Sequence, residues 1–125
     1  MLEYRVAPSK APAQPSDAQR AMRLARKLCM ERGIERLGIM GFSAGGHLAA
    51  TLSVHYDEAF YPPQDELDNL SACPDFTVLC YSVIDMGEYR HDWSRRFLLG
   101  DVPDEAQIEF YSPQRCVTEN TPTAF

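Results

Sequence analysis

Along the chain, stretches with apolar residues every three or four positions alternate with short runs that are apolar throughout. Ala18, Ala21, Met22, Ala25, Leu28 and Cys29 recur at helical spacing, with Arg20, Arg23, Lys27 and Glu31 on the other face. The spacing predicts an amphipathic helix over 17–32. Ser16 reads as its N-cap, Gln19 as the capping-box partner, and Gly33 as a left-handed stop. Residues 36–41, RLGIMG, are apolar on both faces, as a buried parallel strand should be. Residues 44–56 carry Ala, Leu and Val on most sides, which predicts a deeply buried helix. Residues 76–84, FTVLCYSVI, read as a second buried strand.

The remaining segments are less regular. Residues 1–6 read as the tail of a strand, followed by the proline-rich connection VAPSKAPAQP. A polar loop holds Pro62-Pro63 and the acidic residues Asp65, Glu66 and Asp68, expected to be a solvated cluster. A turn is expected near Asp85-Met86-Gly87, a helical end at Phe97-Leu98-Leu99-Gly100, and a helix over about 104–110. Thr121–Phe125 reads as the approach to a further strand. Strand–helix–strand alternation without hairpin signals predicts an α/β fold with a parallel sheet.

Composition narrows the function classes. With 125 residues and a formal net charge of −6, the chain offers no basic stripe to neutralise phosphates, so no nucleic-acid partner is expected. No run approaches the length of a membrane-spanning helix. MLEYRVAPSKAPAQP lacks the apolar core of an export signal, which sets a cytoplasmic expectation. Cys29, Cys73, Cys80 and Cys116 show neither metal nor disulfide spacing, and Cys29 and Cys80 read as small core residues. Neither cofactor nor metal is expected.

Candidate chemistry is concentrated at IMGFSAGGHLAA, residues 39–50. Gly41-Phe42-Ser43-Ala44-Gly45 has the Gly-x-Ser-x-Gly spacing, with a strand expected before it and a helix after. A serine on such a tight turn projects its hydroxyl outward as a nucleophile. The glycines two positions either side let strand and helix pass closely. The Ala44 backbone N–H, at the start of a helix, is an orphan donor suited to an oxyanion. Asp85, following the second strand at the sheet edge where such folds place their sites, is an alternative acid or simply a turn-initiating aspartate. His47 and His55 lie along the helix and His91 in a loop, so none is a convincing base for Ser43. Tyr89 and Trp93 either line an acyl pocket or pack locally.

GFSAGGHLAATL, preceded by DAQRAMRLAR, resembles the α/β-hydrolase fold. Within it, EYRVAP, CPDFTVLCYSVI, FLLG and YSPQRCVTENTPTAF are similar to short-chain esterases and carbohydrate-ester deacetylases related to acetyl xylan esterases, grouped with prolyl-oligopeptidase-like domains. The resemblance covers nearly the whole chain. It implies a serine hydrolase acting on carboxylic esters, acetyl esters of carbohydrate among them, through an acyl-enzyme. It also implies a central fragment, residues 1–125, of one α/β-hydrolase domain. In that family an HGG-type loop carrying the second oxyanion donor precedes a segment like EYRVAP, and the acid and histidine follow a segment like TPTAF. The expected partner is a small-molecule or carbohydrate ester. The alternative is a non-catalytic, hydrolase-like remnant or interaction module.

Overall fold

The computed structural model describes residues 1–125. The elements are α1 (Ala13–Glu31), β1 (Gly38–Phe42), α2 (Ser43–Val54), β2 (Phe76–Cys80), α3 (Asp92–Leu99) and α4 (Glu105–Phe110), with short 3-10 turns at Glu66–Asn69 and Pro113–Arg115. β1 and β2 run parallel, in a register pairing Gly38 with Phe76 and Phe42 with Cys80. Residues 123–125 run beside the other edge of β2: the Thr77 N–H donates to the Thr123 carbonyl at 2.9 Å, and the Leu79 N–H to the Phe125 carbonyl at 2.8 Å. The expected approach to a strand is therefore a bridge onto β2.

α2 is the centre of the molecule, with every residue from Gly46 to Ser53 buried. Leu48 and Leu52 pack with Ala18 and Met22 of α1 and with Ala72, while Tyr4, Leu37 and Ile39 close the edges. A helix apolar on nearly all sides finds partners on all sides, as its sequence implies.

Several expected features differ. α1 begins at Ala13, behind Pro12, and Ser16 is not its cap. The Ser16 hydroxyl donates to the Pro12 and Phe60 carbonyls, and the Gln19 amide to the Tyr56 and Glu58 carbonyls. Tertiary acceptors thus replace the capping box. Gly33, at φ 66°, does end the helix in the left-handed region. Residues 1–6 form no strand; Arg5 ties them to the Asp17 carboxylate through its backbone N–H and its guanidinium. β2 stops at Cys80 because Tyr81 turns to φ 39°, a region an extended strand does not use.

The expected burial of β1 is only partly met. Met40 is 60% and Phe42 52% exposed, because the two-stranded sheet leaves the outer edge of β1 uncovered. Cys29 and Cys80 are half-buried rather than core. The acidic loop is a solvated cluster only in part: Asp65 and Glu66 are exposed, and Asp68 is not. The Asp68 side chain is 4% exposed and sits between Arg20 at 3.0 Å and Arg23 at 3.2 Å, with the Tyr61 hydroxyl donating to it. Arg20 and Arg23, on the expected solvent face of α1, together with Arg26 stitch the 61–75 loop to the helix.

Candidate active site

The chain turns from strand to helix within one residue. Phe42 is still extended, at φ −119° and ψ 137°, and Ser43, the first residue of α2, has φ 50°. A non-glycine residue in that region carries backbone strain. The turn is tight enough to dictate its neighbours. A Cβ on Gly41 would overlap the Gly45 carbonyl and come 2.7 Å from Gly46 Cα. A Cβ on Gly46 would collide with the Ser82 hydroxyl. Gly45, by contrast, has room: its nearest contact would be the Tyr4 hydroxyl at 3.8 Å. The steric need expected at both flanking glycines of the motif therefore falls on Gly41 and, one position later, on Gly46.

Ser43 and Ala44 are exposed at the C-terminal end of β1. The Ser43 carbonyl accepts the Val83 N–H at 3.3 Å, so the segment leaving β2 holds the turn from the side. Tyr81, two residues before Val83, is the second non-glycine residue with positive φ. Both strained residues thus stand just beyond the ends of paired strands. The Ala44 N–H lies in the first turn of α2, where no residue of the helix can accept from it.

Asp85 is 6% exposed. Its carboxylate accepts the N–H of Gly87 at 3.0 Å and of Tyr89 at 2.7 Å, and the side chains of Gln114 at 2.9 Å and Arg115 at 3.4 Å. Burial pushes its pKa up, but the two amides, Gln114 and Arg115 together hold it below the usual carboxylate range. These partners organise the 85–89 turn against 112–115, and no histidine is among them.

Each histidine is engaged elsewhere. His47 is buried, with Nε2 2.8 Å from the Tyr111 carbonyl; burial lowers its pKa and that bond partly offsets the shift. His55 stacks on Phe110 at 3.9 Å and bonds the Phe110 carbonyl at 2.9 Å. His91 caps α3, its Nδ1 accepting from Ser94.

A cavity of about 320 Å³ opens beside Ala44, between the N-terminal segment, α2 and α3. Trp93 and Tyr89, expected as possible pocket walls, are not part of it; Ser94, Phe97 and Leu98 supply that wall. Trp93 stacks on Phe97 at 5.7 Å and is 59% exposed. Sequence reasoning missed Gln14, which lines the same cavity from the first turn of α1. It stands in a proline-rich stretch whose pattern carries no signal for a buried polar side chain.

A parallel strand leading through a positive-φ serine directly into a buried helix is the strand–turn–helix geometry of an α/β-hydrolase fold, and that is the class of this structure. The chain belongs to the BD-FAE family, whose model matches residues 1–125. It is 39% identical over 111 residues to endo-1,4-beta-xylanase B of Butyrivibrio fibrisolvens, covering 87% of this chain and 17% of that protein. It is 31% identical over 130 residues to the acetylxylan esterase of Xylanibacter ruminicola, covering 99% of this chain and 25% of that protein. Among solved structures, the acetyl ester-xyloside bifunctional hydrolase from Caldicellulosiruptor lactoaceticus superposes with a TM-score of 0.91 at 41% identity, over 99% of this chain and 46% of that one. The chain thus spans a quarter or less of these two relatives and just under half of the solved chain.

Proposed function

We propose that these residues carry the nucleophile of a carboxylic ester hydrolase acting on short-chain acyl esters of carbohydrate, acetyl esters among them. The observation that carries the reading is the placement of Ser43: an exposed serine at φ 50°, between β1 and α2, beside the Ala44 N–H. The names of the acetylxylan esterase and the acetyl ester-xyloside hydrolase support the substrate class.

In this reading Ser43 Oγ attacks the ester carbonyl carbon as a base takes its proton. The Ala44 N–H donates to the oxyanion of the tetrahedral intermediate. Collapse expels the alcohol, which takes up the proton, and leaves an acyl group on Ser43; water then releases the acid by the same steps. The base is a histidine from a part of the protein outside these 125 residues, since His47, His55 and His91 hold structural hydrogen bonds. Residues 1–125 are then the central part of one hydrolase domain. Asp85 serves as the organiser of its turn, its hydrogen-bond partners already in place, rather than as the acid.

The test is Ser43→Ala in the full-length protein, assayed on p-nitrophenyl acetate and on acetylated xylo-oligosaccharide. Loss of a triad nucleophile lowers kcat by on the order of 10⁶. The same protein should label at Ser43 with a fluorophosphonate, read by peptide mass spectrometry. Turnover near the wild-type rate in Ser43→Ala would reject the nucleophile, and a wild-type protein that neither labels nor turns over ester would favour a non-catalytic module.

A further inference from the structure

α3 buries none of its eight residues. Trp93, Arg96 and Phe97, spaced i, i+3 and i+4, share its outward face, and each side chain is more than half exposed. A helix face turned to water is normally polar, and two adjoining aromatic rings left there mark a contact surface. The ring centres of Trp93 and Phe97 are 5.7 Å apart, with planes 30° from parallel. The Arg96 guanidinium stands 6.0 Å from the Trp93 ring centre, at the limit of a cation–π contact. Backbone bonds, not these rings, moor the helix: the Ala11 N–H donates to the Leu98 carbonyl at 2.9 Å, and Lys10 Nζ to the Arg96 carbonyl at 3.3 Å. The charges bordering the rings are matched, Arg96 with Asp101 at 2.7 Å and Arg90 with Asp92 at 2.9 Å. The rim thus offers donors and acceptors without an excess of either sign.

We infer that Trp93 and Phe97 form a platform for a pyranose ring of the carbohydrate chain, flanking the sugar whose ester Ser43 attacks. The inference rests on the esterase reading above. A pyranose with equatorial hydroxyls presents C–H groups from its faces, and these carry weak positive charge. The face of an aromatic ring carries the opposite sign, so sugar and ring stack face to face. The hydroxyls at the sugar's edge need both donors and acceptors, which Arg96 and Asp101 supply beside Trp93. Matched charges suit a neutral polyol better than an ionic partner. The position fits as well. Phe97 lines the cavity that Ala44, the residue after Ser43, also lines, and Trp93 stacks on Phe97 at its border. A chain carrying an ester at the elbow extends beyond the acylated sugar, and a neighbouring ring would meet this face of α3.

The test measures binding, not turnover. Unacetylated xylohexaose, which has no ester to cleave, is titrated by calorimetry into the full-length protein. Trp93→Ala should bind it about tenfold more weakly than wild type, and Trp93→Phe, which keeps a ring, should recover most of that loss. Trp93 is 59% exposed, so both variants should melt as wild type does. Hydroxyl-radical oxidation gives a local reading: the Trp93 peptide should oxidise readily in the free protein and be protected at saturating xylohexaose. Absence of binding by wild type, unchanged affinity in Trp93→Ala, or Trp93→Phe no tighter than Trp93→Ala would overturn the platform. A Trp93 peptide already protected in the free protein would overturn it too, and would show that another part of the polypeptide covers the rings. Because the ligand carries no ester, failure of the esterase reading shows separately, as wild-type protein that binds xylohexaose through Trp93 yet leaves acetylated xylo-oligosaccharide uncleaved.

Discussion

His47 Nε2 lies 2.8 Å from the Tyr111 carbonyl oxygen, which joins the elbow helix to a segment 64 residues further along. The imidazole is buried and its pKa is lowered, so the folded protein keeps it neutral where an unfolded chain would begin to protonate. Below about pH 6.5, the ordinary histidine value, the unfolded state binds a proton that the folded state refuses, and stability falls with pH. Melting temperature should therefore decline from pH 7 to pH 5. His47→Gln, which retains a donor for Tyr111, should flatten that slope. His47→Ala, which leaves the carbonyl unpaired, should cost about 1–3 kcal/mol in denaturant melts at pH 7.

The two glycines of the elbow motif should respond oppositely to alanine. Gly41→Ala puts a methyl into the Gly45 carbonyl, backbone against backbone, and should abolish the cooperative transition or lower its midpoint sharply. Gly45→Ala meets only the Tyr4 hydroxyl at 3.8 Å, inside a helix where alanine is favoured over glycine by roughly 0.5–1 kcal/mol. Parallel chemical melts of the two variants give the comparison. Equal destabilisation would show that the motif's spacing, rather than its packing, sets the requirement.

The elbow was the most legible part of the chain, because a glycine on each side of a serine between two apolar runs has few other uses. α2 was legible for the same reason: apolar residues on all sides leave only a buried helix. The start of α1 was not. Ser16 and Gln19 have capping-box spacing, yet their acceptors include the carbonyls of Tyr56, Glu58 and Phe60, placed by the fold and invisible in a local window. Asp85 could be placed at a turn, but the Gln114 and Arg115 groups that meet its carboxylate come from nearly thirty residues away. Charge patterning misread Asp68, since an acidic residue beside two others gives no sign that arginines of α1 enclose it.

That enclosure has a pH signature. The Tyr61 hydroxyl, opposed by burial and aided by the Gln64 amide and Arg20, holds the Asp68 carboxyl well below the usual carboxylate range. A depressed folded pKa stabilises above the unfolded value, near 3.9, and that stabilisation is lost as pH falls through the folded pKa. Asp68→Asn should lower the melting temperature at pH 7. It should also give a shallower loss of stability than wild type between pH 4 and pH 2, followed by circular dichroism.

The uncovered side of β1 predicts association of the 125-residue polypeptide on its own. Met40 and Phe42 are exposed beside a groove that Leu37, Ile39 and Met22 also line, at an edge whose ladder groups lack a neighbouring strand. Such an edge pairs readily with another chain. Sedimentation velocity should show concentration-dependent self-association, and Met40→Lys should reduce it. A monomer at all concentrations would mean that the 1–6 segment screens the edge.

The hydrogen bond from Val83 to the Ser43 carbonyl has a consequence for the order in which the molecule assembles. Neither strained residue, Ser43 or Tyr81, is stable in its conformation through local preference, and each stands at the end of a strand whose partner is almost forty residues away. The geometry predicts an elbow that forms late in folding: the Val83 bond to the turn needs the strands aligned from Gly38 and Phe76 to Phe42 and Cys80. A slip of one residue would turn every side chain to the opposite face and carry Val83 away from it. On that expectation, alignment of the sheet acts as a proofreading step, and chains with mispaired strands lack the Val83 bond that holds the serine turn.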